Sequence, residues 1–223
     1  MAGFPNIKYS SNLLQKLPSL GADIIEIGMP FTDPMADGKI IQDAGHEALE
    51  AGFKLESLYE MIETFRNNDQ DTPIILMGYY NPIYSFGVEK FLNEAHSSGV
   101  DGLIIVDLPP EEDKELYIPS QSHGIDFIRL STPTSDESRL PKILKNSSGF
   151  IYHVSITGTT GAARVDAKNL APEINKVRKF TNLPVCVGFG IRSPQDAESV
   201  AAIGDGVVVG SAIVEKIENG EPN

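Results

Sequence analysis

Seven short apolar segments, each ending in Gly, Asp or Ser, recur along the chain and limit the folds it can adopt. They span residues 23–28, 73–78, 102–107, 126–131, 150–155, 183–190 and 205–210. Most are continuous apolar runs, which is typical of parallel strands that are covered on both faces. Helix-like segments separate them, among them 55–66, 88–97, 136–145, 169–180 and 194–202. The repeated unit is therefore a strand followed by a helix.

A Gly-containing connection precedes several of these strands, as in Leu20-Gly-Ala-Asp23 and Ser98-Gly-Val-Asp101. Glycine at such a position can adopt the left-handed conformation that ends a helix. No linker or change in composition divides the chain, so we predict one domain over residues 1–223. An eight-stranded barrel and an open doubly wound sheet both fit. Regular strand spacing, and the lack of a Gly-x-Gly-x-x-Gly sequence after the first strand, favour the (β/α)8 barrel.

Composition excludes several classes of function. The 223 residues contain 18 Lys and Arg against 31 Asp and Glu, a formal net charge of −13 that opposes binding to nucleic acid. Cys186 is the single cysteine, so no disulfide forms within the chain, which suits a reducing compartment. The longest apolar runs fall far short of the roughly 20 residues that span a bilayer. We expect a soluble, cytoplasmic protein.

Two carboxylates are candidates for acid–base chemistry at the carboxyl ends of the strands, where barrel enzymes carry their sites. Glu26 interrupts the first apolar run, and burying a carboxylate there is costly unless it is paired or used. Asp33 and Asp37 lie in the long loop that follows. Glu26 is equally well interpreted as a hydrogen-bonded structural carboxylate, and either aspartate as a turn former.

Glycine-rich strand ends late in the sequence favour a phosphate site. Gly188-Phe-Gly190 and Gly210-Ser211 follow the last two predicted strands, where backbone N–H groups and a helix N-terminus can bind phosphate. A third Gly-rich loop, 156–161, fits either a lid or an ordinary flexible loop. Strand alternation lets only one of Tyr152 and His153 face the barrel interior, and we predict Tyr152.

Two types of reaction are disfavoured because the residues they require are missing from the expected positions. None of the twelve lysines lies in a predicted strand, which disfavours a Schiff-base aldolase. The four histidines are scattered and form no ligand pair at close spacing, so a metal-dependent enolate mechanism is disfavoured.

Residues 26–38, Glu-Ile-Gly-Met-Pro-Phe-Thr-Asp-Pro-Met-Ala-Asp-Gly, followed by Gln42, closely resemble the signature of the tryptophan synthase alpha chain family. Further similarity lies in 79–82, 106–109, 131–133, 160–161, 188–191 and 210–214, so the resemblance covers essentially the whole chain. It implies a (β/α)8 barrel that cleaves indole-3-glycerol phosphate to indole and glyceraldehyde 3-phosphate.

The resemblance also implies roles for individual residues. Glu26 and Asp37 match the family's catalytic glutamate and aspartate. The residues that match substrate-binding positions form four groups: Tyr152 beside the glutamate; Thr160 and Gly161 in the lid loop; Gly190, Gly210 and Ser211 at the phosphate; and Met77, Ile104, Val106 and Phe189 around the indole. No cofactor is implied in this chain, and pyridoxal phosphate is expected in a partner beta chain within an α2β2 complex.

Two rival functions stay open at this point, namely another phosphate-binding barrel of the isomerase or epimerase class, and a non-catalytic subunit that activates a beta chain. Lys39 stands where the family usually has proline, which predicts a less rigid loop and a cation near Asp37. Compared with the family, the first strand and the C-terminal helix are expected to be incomplete, with residues 1–5 as the stub of a strand.

Overall fold

A computed structural model describes residues 1–155, 167–188 and 190–220. Within these ranges the helices are α1 (Ile7–Lys16), α2 (Lys39–Glu50), α3 (Leu55–Arg66), α4 (Tyr80–Phe86), α5 (Val88–Ser98), α6 (Lys114–Ser122), α7 (Leu140–Leu144), α8 (Ala167–Arg178), α9 (Pro194–Ala201) and α10 (Ser211–Glu218). The strands are β1 (Ile25–Gly28), β2 (Ile74–Gly78), β3 (Gly102–Ile105), β4 (Asp126–Phe127), β5 (Arg129–Ser131), β6 (Ile151–Val154), β7 (Val185–Gly188) and β8 (Gly206–Val207). No helix of the described residues is long and apolar enough to cross a membrane.

The chain divides into two compact units. The first comprises residues 1–35 and 41–127, and the second comprises residues 36–40 and 128–223. The first unit contains a parallel sheet in the order β1-β2-β3-β4, and the second contains a parallel sheet in the order β5-β6-β7-β8. Parallel strands joined through helices confirm the predicted α/β class.

In the first unit, one face of the sheet packs against helices. Ile25 and Ile27 of β1 join an apolar cluster with strand residues Ile74, Leu76, Leu103 and Ile105 and with α3 and α5 residues such as Phe65 and Phe91. Because side chains alternate along a strand, the residues between them point to the opposite face. That opposite face carries Glu26.

The second unit repeats this arrangement. Ile151, Val185 and Val187 pack with Ile174 and Val177 of α8 in a second apolar cluster. The alternate residues of β6 and β7, Tyr152 and Cys186, are register partners on the opposite face.

Three expectations need correction. The predicted strand 126–131 is two strands. β4 pairs with β3 and β5 pairs with β6, and Ile128 between them belongs to neither pairing. The predicted helix 136–145 is helical only from Leu140, since the Asp136 carboxylate accepts the N–H groups of Ser138 and Arg139 in a turn. Residues 1–5 form no strand, although Ala2 donates a backbone hydrogen bond to Gly28 O at 2.9 Å.

Each unit uses an Arg–Asp pair to tie a helix end to a strand start. In the first unit Asp101 accepts from Ile74 N at 2.7 Å and from the Arg66 guanidinium at 2.6 Å. In the second, Asp205 accepts from Val185 N at 2.8 Å and from Arg178 at 2.9 Å. The two pairs differ in burial, because the Arg66 side chain is 12% exposed and that of Arg178 is 37% exposed.

Arg66→Met is expected to lower the free energy of unfolding by about 2–4 kcal/mol, since it removes the donor from several partly buried acceptors at once. Arg66 also donates to the carbonyls of Gly99, Asp69 and Thr72. Arg178→Met is the matched control, with an expected loss under about 1 kcal/mol because that pair is more exposed. Urea unfolding of both variants makes the comparison, and equal losses would contradict it.

Candidate active site

Glu26 shares a sheet face with three residues predicted to contact an indole ring. The register pairs Glu26 with Ile75, Gly28 with Met77, and Met77 with Ile104. Val106 follows two residues later, and its N–H donates to Gly78 O at 2.9 Å, which continues the ladder. Glu26 is partly exposed, while Ile104 is fully buried. The first unit therefore presents a carboxylate beside an apolar strip.

The loop after β1 is fastened to α2 by two side chains one helical turn apart. Gln42 Nε2 donates to Pro34 O at 3.3 Å, and His46 Nε2 lies 3.2 Å from Thr32 O. Residues at positions i and i+4 lie on the same face of a helix, so both side chains reach the same loop. Sequence reasoning missed His46, and its spacing from Gln42 is the signal that identifies it.

Asp37 lies in the segment 36–40, which groups with the second unit. It is partly exposed, and Gly38 after it is buried. Lys39 is exposed and is the first residue of α2, so the helix begins directly after the Asp-Gly pair. The predicted loop thus extends from Met29 to Gly38.

Tyr152 lies on the face of β6 that points away from α8. Its neighbour His153 contacts Glu173 of α8, so alternation places Tyr152 on the other face. The Tyr152 ring covers Gly188 at the end of β7, where a Cβ atom would lie 2.1 Å from the phenolic oxygen. Only glycine at position 188 leaves room for this ring position.

Cys186 lies on the same face as Tyr152 and is half-buried. Burial, with a further contribution from the Asp205 carboxylate, raises the pKa of the Cys186 thiol to about 11. The thiol therefore stays protonated at neutral pH and is a poor nucleophile or metal ligand. Among the described residues, no group of three or more His, Cys, Asp or Glu could hold a metal ion.

The helices that follow the two late glycine-containing segments, α9 and α10, differ in how their N-termini are capped. The N-terminus of α9 is closed by a capping box, in which Ser193 Oγ accepts from Asp196 N and the Asp196 carboxylate accepts from Ser193 N. The N-terminus of α10 has Gly210 at its cap position and no side-chain cap. The first N–H groups of a helix have no acceptor within the helix, so the α10 end suits an anion better than the α9 end.

Gly190 adopts φ +77°, which glycine tolerates and other residues rarely adopt. Gly210 has open space where a Cβ would lie, and Ser211 begins α10. The remaining predicted binding residues, Thr160, Gly161 and Phe189, lie outside the described residues.

Comparisons with known proteins point to one family. The model of the tryptophan synthase alpha chain family matches residues 1–223. The tryptophan synthase alpha subunit of Legionella pneumophila is 37% identical with a TM-score of 0.90, over 99% of this chain and 83% of that one. The α2β2 tryptophan synthase of Pyrococcus furiosus contributes a chain with 37% identity and a TM-score of 0.87, over 98% and 87%. Tryptophan synthase of Mycobacterium tuberculosis gives 31% identity and a TM-score of 0.88, over 98% and 83%.

Proposed function

This chain belongs to the tryptophan synthase alpha chain family of barrel lyases, which cleave indole-3-glycerol phosphate in tryptophan biosynthesis, and we propose that Glu26 and Asp37 perform that cleavage here. The observation that carries the proposal for Glu26 is its position beside Met77, Ile104 and Val106 on one sheet face. An apolar strip of this kind suits an indole ring. We further propose that residues 1–223 act as one domain.

The proposed reaction is a retro-aldol cleavage that needs neither lysine nor metal. Protonation of the indole ring at C3 makes the ring itself the acceptor for the bonding electrons. Glu26 donates that proton and accepts the proton of the glycerol hydroxyl, tasks that suit a carboxyl group beside an apolar surface. Asp37 accepts the indole N–H and stabilises the positive charge that develops on the ring.

The substrate phosphate is proposed to bind at the N-terminus of α10. Gly210 and Ser211 supply the backbone N–H groups of this phosphate site. Gly190, which has no side chain, is proposed to let the backbone approach the phosphate closely. Tyr152 is proposed to contact the substrate. Thr160 and Gly161 are proposed as lid residues, and Phe189 as a further contact to the indole.

The test of the function is release of indole from indole-3-glycerol phosphate by the purified chain. We expect equal amounts of indole and glyceraldehyde 3-phosphate, measured by chromatography and a coupled dehydrogenase assay. The assay is run with and without a tryptophan synthase beta chain. A preparation that stimulates the beta chain and releases no indole in either assay would contradict the proposal.

Asp37→Asn is expected to lower kcat about 10²- to 10³-fold, because the amide keeps the shape of the carboxylate and loses the charge that stabilises the ring cation. The matched control is Asp33→Asn, which changes the other aspartate of the same loop and is expected to retain most of the activity. Steady-state kinetics of indole release by both variants test this prediction. Normal turnover by Asp37→Asn would leave Asp37 as a turn former.

The relative from Pyrococcus furiosus assembles as an α2β2 complex. We propose the same assembly here, with a beta chain that holds pyridoxal phosphate and receives indole, and with no cofactor in this chain. Size-exclusion chromatography coupled to light scattering, with and without a beta chain, measures the assembly. We also propose the cytoplasm as its compartment, which suits the single cysteine.

A further inference from the structure

The contact between His46 and the loop after β1 has a defined donor and acceptor. A carbonyl oxygen only accepts, so His46 Nε2, which lies 3.2 Å from Thr32 O, carries the proton of this hydrogen bond. The neutral tautomer with its proton on Nε2 and the charged ring both carry that proton. The hydrogen bond is therefore available whether or not the imidazole is charged.

The start of this loop is anchored to the sheet. Met29 N donates to Met77 O at 2.8 Å, and the Phe31 ring packs against the Tyr79 ring with centroids 5.3 Å apart. Both partners come from β2 or from the residue directly after it. Residues 29–31 are therefore held without a contribution from α2.

From residue 32 onward the loop is held by α2. Side chains of His46 and Gln42 contact two of its carbonyls, those of residues 32 and 34. Met35 N donates to Asp33 O at 2.9 Å, which keeps this part of the loop compact. Asp37 follows two residues after Met35, so its position depends on how these residues are held.

The side chain of His46 is exposed and contributes little to the core. The buried side of α2 is formed by Ala44, Gly45 and Ala48. Removal of the imidazole leaves this packing in place, and alanine favours helix more than histidine does. Loss of the His46 contact is therefore expected to affect the loop rather than the stability of the fold.

We propose that His46 is a positioning residue, which holds the loop so that Asp37 reaches the indole N–H. The proposal rests on the function proposed above, in which the Asp37 carboxylate stabilises the ring cation. It adds a residue that lies outside the signature formed by residues 26–38 and Gln42. His46 contacts no substrate and transfers no proton, because it acts through the backbone of the loop.

The first test measures steady-state indole release by His46→Ala. We expect kcat to fall about 3- to 10-fold, the effect of losing one hydrogen bond that holds the loop. KM is expected to change little, because the phosphate and the apolar strip provide the binding in the proposed complex. Wild-type kcat in this variant would overturn the proposal.

Two further variants separate the hydrogen bond from the rest of the side chain. His46→Gln is expected to restore kcat to within about 2-fold of the wild type, since its amide N–H reaches about as far from the backbone as the imidazole Nε2. Glu47→Ala is the matched control, because it changes the next exposed residue on a different side of α2 and should turn over at the wild-type rate. Failure of His46→Gln to recover activity would contradict the role of the hydrogen bond.

A double-mutant cycle tests whether His46 acts through Asp37. In the Asp37→Asn background the charge that His46 helps to position is already absent, so His46→Ala is expected to lower kcat less than about 2-fold further. An equal loss in both backgrounds would show that His46 acts on the reaction by another route, and would overturn the proposal.

A measurement without substrate separates this proposal from the proposed function. Hydrogen–deuterium exchange followed by mass spectrometry compares residues 32–38 in the wild-type chain, His46→Ala and Glu47→Ala. We expect exchange in His46→Ala to be about 3- to 10-fold faster in this segment alone. Unchanged exchange would overturn the contact as a restraint on the loop, whereas a wild-type chain that releases no indole would overturn the proposed function.

Discussion

Glu26→Gln is expected to reduce kcat for indole release by about 10²- to 10⁴-fold, because the amide preserves the shape of the side chain but can act neither as a general acid nor as a general base. KM is expected to change little, since the phosphate and the apolar strip provide the binding in the proposed complex. Steady-state kinetics of indole release supply both constants, and equilibrium dialysis of a non-cleavable indolylalkyl phosphate supplies the dissociation constant.

Glu50→Gln is the matched control for this variant. Glu50 is exposed at the end of α2 and has no part in the proposed reaction, so its variant should turn over substrate at the wild-type rate. If Glu26→Gln retained near-normal kcat, Glu26 would be a structural carboxylate. A large rise in the dissociation constant at unchanged kcat would give Glu26 a role in binding alone.

The positions of the strands could be predicted from the sequence, apart from the division of 126–131 into β4 and β5, because buried parallel strands leave continuous apolar runs that end at polar residues or glycine. Helix α3 was predicted with both ends correct, since 55–66 combines a clear apolar face with Arg66 in its last turn. Helix α7 was predicted too long, because the Asp136 turn competes with helix for the backbone N–H groups. Whether these N–H groups bond to the Asp136 side chain or to helix carbonyls depends on local geometry that cannot be read from the sequence.

The candidate site likewise contains some residues that could be placed from the sequence and some contacts that could not. The placement of Met77, Ile104 and Val106 on the face of Glu26 follows from period-two alternation and strand register. His46 was missed because its partner is a backbone carbonyl of the preceding loop, so only its i, i+4 spacing from Gln42 indicates the contact. The polar contact of His153 with α8 likewise depends on which helix covers β6.

Several glycines at strand ends have a packing role that differs from the role the sequence pattern predicted. The sequence pattern associates Gly188 with a phosphate loop, yet a Cβ there would overlap Tyr152. In the same way, a Cβ at Gly206 would lie 2.7 Å from Cys186 Sγ, and one at Gly78 would lie 2.7 Å from Met29 Cε. Glycine at these strand ends makes room for a larger side chain of a neighbouring strand or loop.

Gly188→Ala is therefore expected to displace Tyr152 and to lower kcat/KM by at least about 10-fold, because moving a substrate contact by about 1 Å also misplaces the substrate. The overpacked methyl group is also expected to lower the free energy of unfolding by about 1–3 kcal/mol. Real Cβ atoms do not approach other atoms to 2.1 Å, and Tyr152 is fixed in the strand, so the ring has to move. Steady-state kinetics and urea unfolding measure the two effects.

Gly45→Ala is the matched control, because a Cβ at this helical position meets only the Met1 side chain at ordinary contact distance, and alanine favours helix. The double variant Gly188→Ala, Tyr152→Leu separates the two effects. Removing the phenol relieves the overlap, so stability is expected to recover while activity stays low, because the proposed substrate contact is absent. Wild-type stability and activity in the single variant would show that the ring can occupy another position at no cost.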